Sequence, residues 1–126
     1  MGKRVLVVDD HPPVLSIIED ILERAGLEVL KAGDGAECLR KVREEQPDLV
    51  ILDLMMPGKD GFEVLREIRA QSNTKYLPVI VLTARDTYGD MLKGWMAGAH
   101  RYLTKPCLVE ELVSAVNEML QPPVRH

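Results

Sequence analysis

The sequence predicts an α/β protein, a doubly wound parallel sheet with helices on both faces. Three observations carry that expectation. First, Val5-Leu6-Val7-Val8, Leu49-Val50-Ile51-Leu52 and Val79-Ile80-Val81-Leu82 are apolar at every position, as strands buried on both faces must be. Second, the apolar period between these runs changes to that of amphipathic helices. Third, each run stops at a polar residue, at Asp9-Asp10, Asp53 and Thr83. In an open parallel sheet the carboxyl ends of the strands carry the site. Five β-α units account for nearly the whole chain, and alternation at this length implies right-handed crossovers.

After the first strand, Val14, Ile17, Ile18, Ile21, Leu22 and Ala25 recur at helical spacing, and Gly26 ends that helix. Leu27 to Ala32 is a short second strand. Asp34 then reads as an N-cap with Glu37 three places on, and Leu39 and Val42 form the buried side of the second helix. Asp60-Gly61-Phe62-Glu63 repeats the capping pattern after the third strand and the Pro57-Gly58 turn; Phe62, Leu65 and Ile68 face inward. A fourth helix from about Asp86 carries Met91, Leu92, Trp95, Met96 and Ala99 and ends near Gly98, a residue suited to a left-handed cap. The fifth strand is His100 to Thr104. The last helix follows Pro106, with Leu108, Leu112, Ala115, Val116, Met119 and Leu120 on one side, and stops before Pro122-Pro123. Residues 4–120 form one domain and 121–126 a tail or the start of a linker.

Bulk properties narrow the function. A chain of 126 residues, 46% hydrophobic and 4% aromatic, builds one aliphatic core. A net charge of -4 lacks the basic footprint of a phosphate-backbone binder, so no direct nucleic-acid binding is expected. Cys38 and Cys107 have no metal spacing and read as free thiols in a reducing compartment. Four aliphatic residues after Lys3-Arg4 are too few for a signal peptide or a membrane span, so a cytoplasmic protein without membrane contact is expected.

The strand ends gather Asp9, Asp10, Asp53, Thr83 and, after Tyr102-Leu103-Thr104, the ammonium of Lys105. Carboxylates beside a hydroxyl and an ammonium suit a hard cation and a phosphoryl group. His11 and His100 are left out of this site, because oxygen is the preferred donor for such a cation.

Four segments carry a family likeness: Val7-Val8-Asp9-Asp10-His11-Pro12, Asp53-Leu54-Met55-Met56-Pro57-Gly58-Lys59-Asp60-Gly61, Leu82-Thr83-Ala84, and Gly98 to Pro106. Over residues 4 to about 120 the chain resembles the receiver domain of two-component response regulators. The resemblance implies a flavodoxin-like fold of five parallel strands in the order 2-1-3-4-5. It implies that Asp53 is the phosphoacceptor, taking the group from a histidine kinase or phosphotransfer protein. It implies Mg²⁺ as cofactor, with Asp10 and Asp53 as direct ligands, Asp9 acting mainly through water and the Met55 backbone carbonyl completing the set. Lys105 would pair with a phosphoryl oxygen, the Thr83 hydroxyl would bond another, and the Lys105-Pro106 peptide would be cis.

The resemblance also makes Thr83 and Tyr102 a switch that alters the face of helix 4, strand 5 and helix 5, where an effector or a second copy docks. Tyr102 has a second reading, as a residue that only packs against helix 4. Exposed apolar surface on helix 4 would mark an interface; the alternative is that Leu92 and Trp95 are core. Met55 and Arg85 stand where receivers tune the hydrolytic water, and Met55 is expected to shield the acyl phosphate. Leu108 replaces the Asp or Ser that often caps the last helix. Other functions remain open at this stage: an aspartyl-phosphate phosphohydrolase, although Met55 stands where such enzymes carry a second Asp; an unphosphorylated scaffold; and a flavin or nucleotide binder, for which no Gly-x-Gly-x-x-Gly loop is present.

Overall fold

A computed structural model describes residues 2–121 of the chain, so the Pro122-Pro123 stop and all of the expected tail after Gln121 lie outside the described residues. Strands β1 (Arg4–Val8), β2 (Glu28–Ala32), β3 (Leu49–Leu52), β4 (Val79–Thr83) and β5 (Arg101–Thr104) alternate with helices α1 (Pro12–Arg24), α2 (Gly35–Glu45), α3 (Gly61–Ala70), α4 (Tyr88–Ala97) and α5 (Val109–Leu120). All pairings are parallel and the strand order is β2-β1-β3-β4-β5.

The continuous aliphatic strands divide their side chains by the two-residue period of the pleat. Leu6, Val8, Val50, Leu52, Val79 and Val81 pack on one face with Phe62, Leu65 and Ile68 of α3 and Val42 of α2. Val5, Val7, Leu49, Ile51, Ile80 and Leu82 pack on the other with Ile18 and Leu22 of α1 and Leu112 and Val116 of α5. Two apolar layers thus clamp the sheet.

Several boundaries differ from the sequence reading, each for a local reason. Leu27 lies in the connection between α1 and β2 and not in the strand, because its N–H bonds back to Leu22 O at 3.1 Å. Helix α4 starts two residues after Asp86: the Thr87 hydroxyl accepts from Asp90 N at 3.1 Å and supplies the cap. His100 precedes β5, its ring Nδ1 accepting from Val79 N at 3.1 Å. Asp34 caps α2 through Glu37 N, and Glu37 reaches back to Gly33 N. Asp60 instead bonds Phe62 N, and Glu63 is exposed with no such return bond. Gly98 holds the left-handed cap of α4 at φ 109°.

The helical stripes are narrower than expected. Ile17 is 61% exposed and Ala25 is also outside, so α1 buries Ile18 and Leu22 with Val14 half-covered. Cys38 joins Val42 on the buried side of α2, while Leu39 only borders it. Leu108 is exposed at the start of α5 and makes no side-chain cap. On α4 only Gly94 and Ala97 are buried, whereas Leu92, Trp95 and Met96 are exposed.

Leu52→Ala, in the centre of the sheet and 0% exposed, is expected to cost about 2 to 5 kcal/mol, and Ile17→Ser no more than about 0.5. Urea unfolding followed by far-ultraviolet circular dichroism measures both, and equal costs would contradict the packing described.

Candidate functional site

The register of β1 and β3 pairs Val8 with Leu52, so the next residues, Asp9 and Asp53, leave the sheet side by side. Asp9 N donates to Ala32 O and Asp53 N to Val8 O, extending the ladders one residue past the strands. Both carboxylates are then held in the same way. Asp9 Oδ1 accepts from His11 N and Asp53 Oδ1 from Met55 N, each at 2.9 Å, a local turn in which the aspartate bonds two residues on. The second oxygen of each accepts from Lys105 Nζ, at 2.6 Å for Asp9 and 3.0 Å for Asp53.

Lys105 reaches this point from the end of β5. Its N–H donates to Thr83 O at 2.8 Å, and its peptide bond to Pro106 is cis. Asp9 and Asp53 are 2% and 4% exposed, so their charges are nearly dry and the ammonium is the counter-ion both need. Burial raises the Asp9 carboxyl, but the Lys105 and His11 hydrogen bonds outweigh it, and the group titrates below the ordinary carboxylate value. Burial likewise works against the Lys105 ammonium, and the bonds to Asp9 and Asp53 outweigh it, raising its pKa.

Asp10 lies on the outer side, with its side chain 26% exposed. Its Oδ1 is nonetheless a buried atom without a hydrogen bond, although His11 Nδ1 stands 3.1 Å away. Asp9, Asp10 and His11 place one donor atom each within 4.8 Å of one another. Asp53 is not in that trio; its carboxylate faces Lys105 and Met55 N instead. The two carboxylates of that trio, with the unpartnered Asp10 oxygen among them, fit a hard divalent cation.

Thr83 is fully buried, and its hydroxyl accepts from Arg85 N at 3.4 Å. The Tyr102 hydroxyl donates to Arg85 O at 2.7 Å, so one residue of the β4–α4 loop touches both expected switch residues. The Tyr102 ring is buried against Gly94, where any Cβ would come within 2.8 Å of it. Burial and the charges of Asp90 and Asp86 push the Tyr102 hydroxyl above its ordinary pKa, against the opposing pull of Arg85. Arg85 also pairs with Asp90 at 3.3 Å and lies 5.4 Å from the Phe62 ring centroid. Met55 is half-exposed at the rim.

Two participants escaped the sequence reading. The sequence reading leaves His11 out of the site, yet its ring stands against the acidic pair; its place two residues after Asp9 is the available signal. The bridging backbone of Arg85 has no signal in residue type, since any residue carries the same groups. A groove of about 250 Å³ between α2 and α3, lined by Val42, Glu67, Ile68 and Thr74, shares no residue with this cluster. Among the described residues no helix is long and apolar enough to cross a membrane.

A sequence model of the response regulator receiver domain matches residues 5–117. Among solved structures, the chemotaxis protein CheY4 of Vibrio cholerae is 33% identical, with a TM-score of 0.89 over 95% of this chain and 100% of that one. A putative response regulator from Chloroflexus aurantiacus is 37% identical, with a TM-score of 0.91 over 95% and 98%. The receiver domain of a sensor histidine kinase from Pseudomonas aeruginosa is 33% identical, with a TM-score of 0.88 over 95% and 98%; that protein has a magnesium ion coordinated in its active-site cleft.

The linked shifts set the pH behaviour. Because Asp9 is depressed in the folded state, its contribution is present above the ordinary value of 3.8 and lost as pH falls through the folded value. The raised Lys105 contributes below 10.5 and loses that contribution as pH rises through its folded value. In Lys105→Met, burial of Asp9 is opposed only by the His11 hydrogen bonds. Its pKa then rises, and the stability gap between parent and variant is expected to narrow as pH falls from neutrality through the acid range. Urea midpoints at several pH values measure the gap; a constant gap would contradict the ion pair.

Proposed function

The chain belongs to the response regulator receiver family, and on that premise we propose that it is a phosphorylation-controlled signalling module in which Asp53 accepts a phosphoryl group from a histidine kinase. The observation that supports this most is the placement of the Asp53 carboxylate, nearly buried, hydrogen-bonded to Met55 N and to Lys105 at the strand ends.

The transfer is a displacement at phosphorus. An Asp53 oxygen attacks, the bond from phosphorus to the kinase imidazole nitrogen breaks, and the imidazole leaves with that electron pair. Asp53 then holds an acyl phosphate. A carboxylate is a weak nucleophile in water, so orientation and charge must supply the rate. The Met55 N–H fixes one Asp53 oxygen and directs the other outward. Lys105, already at that oxygen, transfers part of its hydrogen bonding to a phosphoryl oxygen and offsets the charge gathering there. Asp9, Asp10, Asp53 and the Met55 carbonyl are the groups that would hold Mg²⁺, which when bound neutralises charge between the carboxylate and the incoming phosphoryl oxygens. Asp9 also keeps Lys105 in place during the exchange.

The Thr83 hydroxyl would bond a further phosphoryl oxygen, giving up its contact with Arg85 N. Tyr102 senses that change through Arg85 O, and the α4, β5 and α5 face shifts toward the state an effector or second copy binds. The exposed Leu92, Trp95 and Met96 supply apolar area on that face.

Intact-mass measurement with Mg²⁺ and acetyl phosphate is expected to show one added phosphoryl group, dependent on Mg²⁺ and absent in Asp53→Ala. No adduct on the parent chain, with beryllofluoride also failing to bind, would reverse the reading in favour of a silent scaffold. The half-exposed Met55 is proposed to screen the acyl phosphate from water. Met55→Asn should therefore lose its phosphate faster; an unchanged lifetime in the same mass assay would remove that role.

A further inference from the structure

We infer that His11 is a nitrogen donor to the acidic cation site, making this chain favour late first-row divalent ions over magnesium more than an all-oxygen cluster would. The inference deepens the proposed magnesium site and rests on it.

The geometry comes first. His11 Nδ1 is 3.1 Å from Asp10 Oδ1 and 3.4 Å from Asp9 Oδ1. Adjacent corners of an octahedron with ligands at about 2.1 Å are about 3 Å apart. Nδ1 and the Asp10 oxygen therefore stand at the spacing of two neighbouring ligands, and that oxygen has no hydrogen bond to give up.

The backbone that carries the ring is fixed, while the side chain itself is 68% exposed. His11 N donates to Asp9 Oδ1, and His11 O accepts from Leu15 N. The following Pro12 confines His11 to extended backbone, which it adopts at φ -103° and ψ 106°. With the main chain fixed at both ends, only two side-chain torsions remain to place the imidazole. The ring has no competing duty on its own helix, since it makes no capping bond to α1. Its polar contacts among the described residues are to Asp9 and Asp10.

The chemistry then sets the preference. Magnesium selects oxygen and gains little from an imidazole, whereas cobalt, nickel, copper and zinc ions bind imidazole well. A site of oxygen donors alone follows the general affinity order. One with an added nitrogen steepens it.

Calorimetric titration of the parent chain, His11→Ala and Asp10→Asn with Mg²⁺ and with Ni²⁺ tests this. Excess Mg²⁺ must displace the Ni²⁺ scored, which separates this cluster from stray binding at His100 or Cys107. The expected result is a nickel Kd raised about tenfold or more in His11→Ala, with the magnesium Kd changed less than about twofold. Asp10→Asn should weaken both ions. An unchanged nickel-to-magnesium ratio would make His11 a bystander, and tighter binding of both ions in His11→Ala would make it a competitor; either overturns the inference while the magnesium site stands. Failure of the parent chain to bind Mg²⁺ at millimolar concentration would overturn the site itself and the inference with it.

Discussion

Everything at the carboxyl edge of this sheet depends on one ammonium shared by two dry carboxylates. Removing Asp9 and Asp53 from water costs several kcal/mol each, more than ordinary burial can offset, unless a counter-ion and good hydrogen bonds accompany them. Lys105 supplies the counter-ion to both, and the His11 and Met55 N–H groups satisfy the remaining oxygens. The pair is thereby stable as charges and still reactive. Each stabilising bond is one that a phosphoryl group or a cation can take over without leaving a buried charge unmatched.

The sheet makes that arrangement precise. Parallel pairing fixes Val8 opposite Leu52, and the ladder continues through Asp53 N to Val8 O, so the two carboxylates cannot drift apart without slipping a strand. A one-residue slip would turn Val50 and Leu52 away from α3, which the close-packed layer forbids. Lys105 is positioned by the same means, through its N–H to Thr83 O. Core packing and site geometry are therefore one constraint: the aliphatic strands that made the fold legible are what aim the polar residues at their ends.

Legibility followed the strength of the local signal. Strands apolar at every position announce burial on both faces, and Asp34 with Glu37 or Gly98 after α4 announces a helix end by a specific bond or a left-handed backbone. The same logic failed where the signal was coarse. The apolar spacing on α4 places its start only approximately, near Asp86, whereas the Thr87 hydroxyl, one residue on, reaches Asp90 N and sets it. Ile17 and Leu108 match apolar periodicity but meet no neighbouring element, and periodicity does not reveal which edge of a stripe the neighbours cover. At the site, side-chain types announced Asp9, Asp10, Asp53, Thr83 and Lys105. The turns that orient Asp9 and Asp53, and the Arg85 backbone beneath Tyr102, depend on main-chain groups every residue carries, so composition is silent about them.

The size of the bonds bounds what the proposed switch can achieve alone. Thr83 gives up a long 3.4 Å bond from Arg85 N, worth at most about 1 kcal/mol, for a charge-assisted bond of about 1.5 to 3 kcal/mol. With the full 1 kcal/mol given up, the gain of about 0.5 to 2 kcal/mol shifts a two-state ratio by roughly 2- to 30-fold. Turning a population from 1:99 to 99:1 needs about 5.5 kcal/mol. Lys105 cannot supply the difference cheaply, because it already holds two strong bonds and merely exchanges them. Phosphorylation on this reading biases the Arg85 loop and the Tyr102 ring without locking them. For the proposed switch to run to completion, the rest of the free energy would have to come from what binds the α4, β5 and α5 face, which would make a partner part of the switch and not merely its reader.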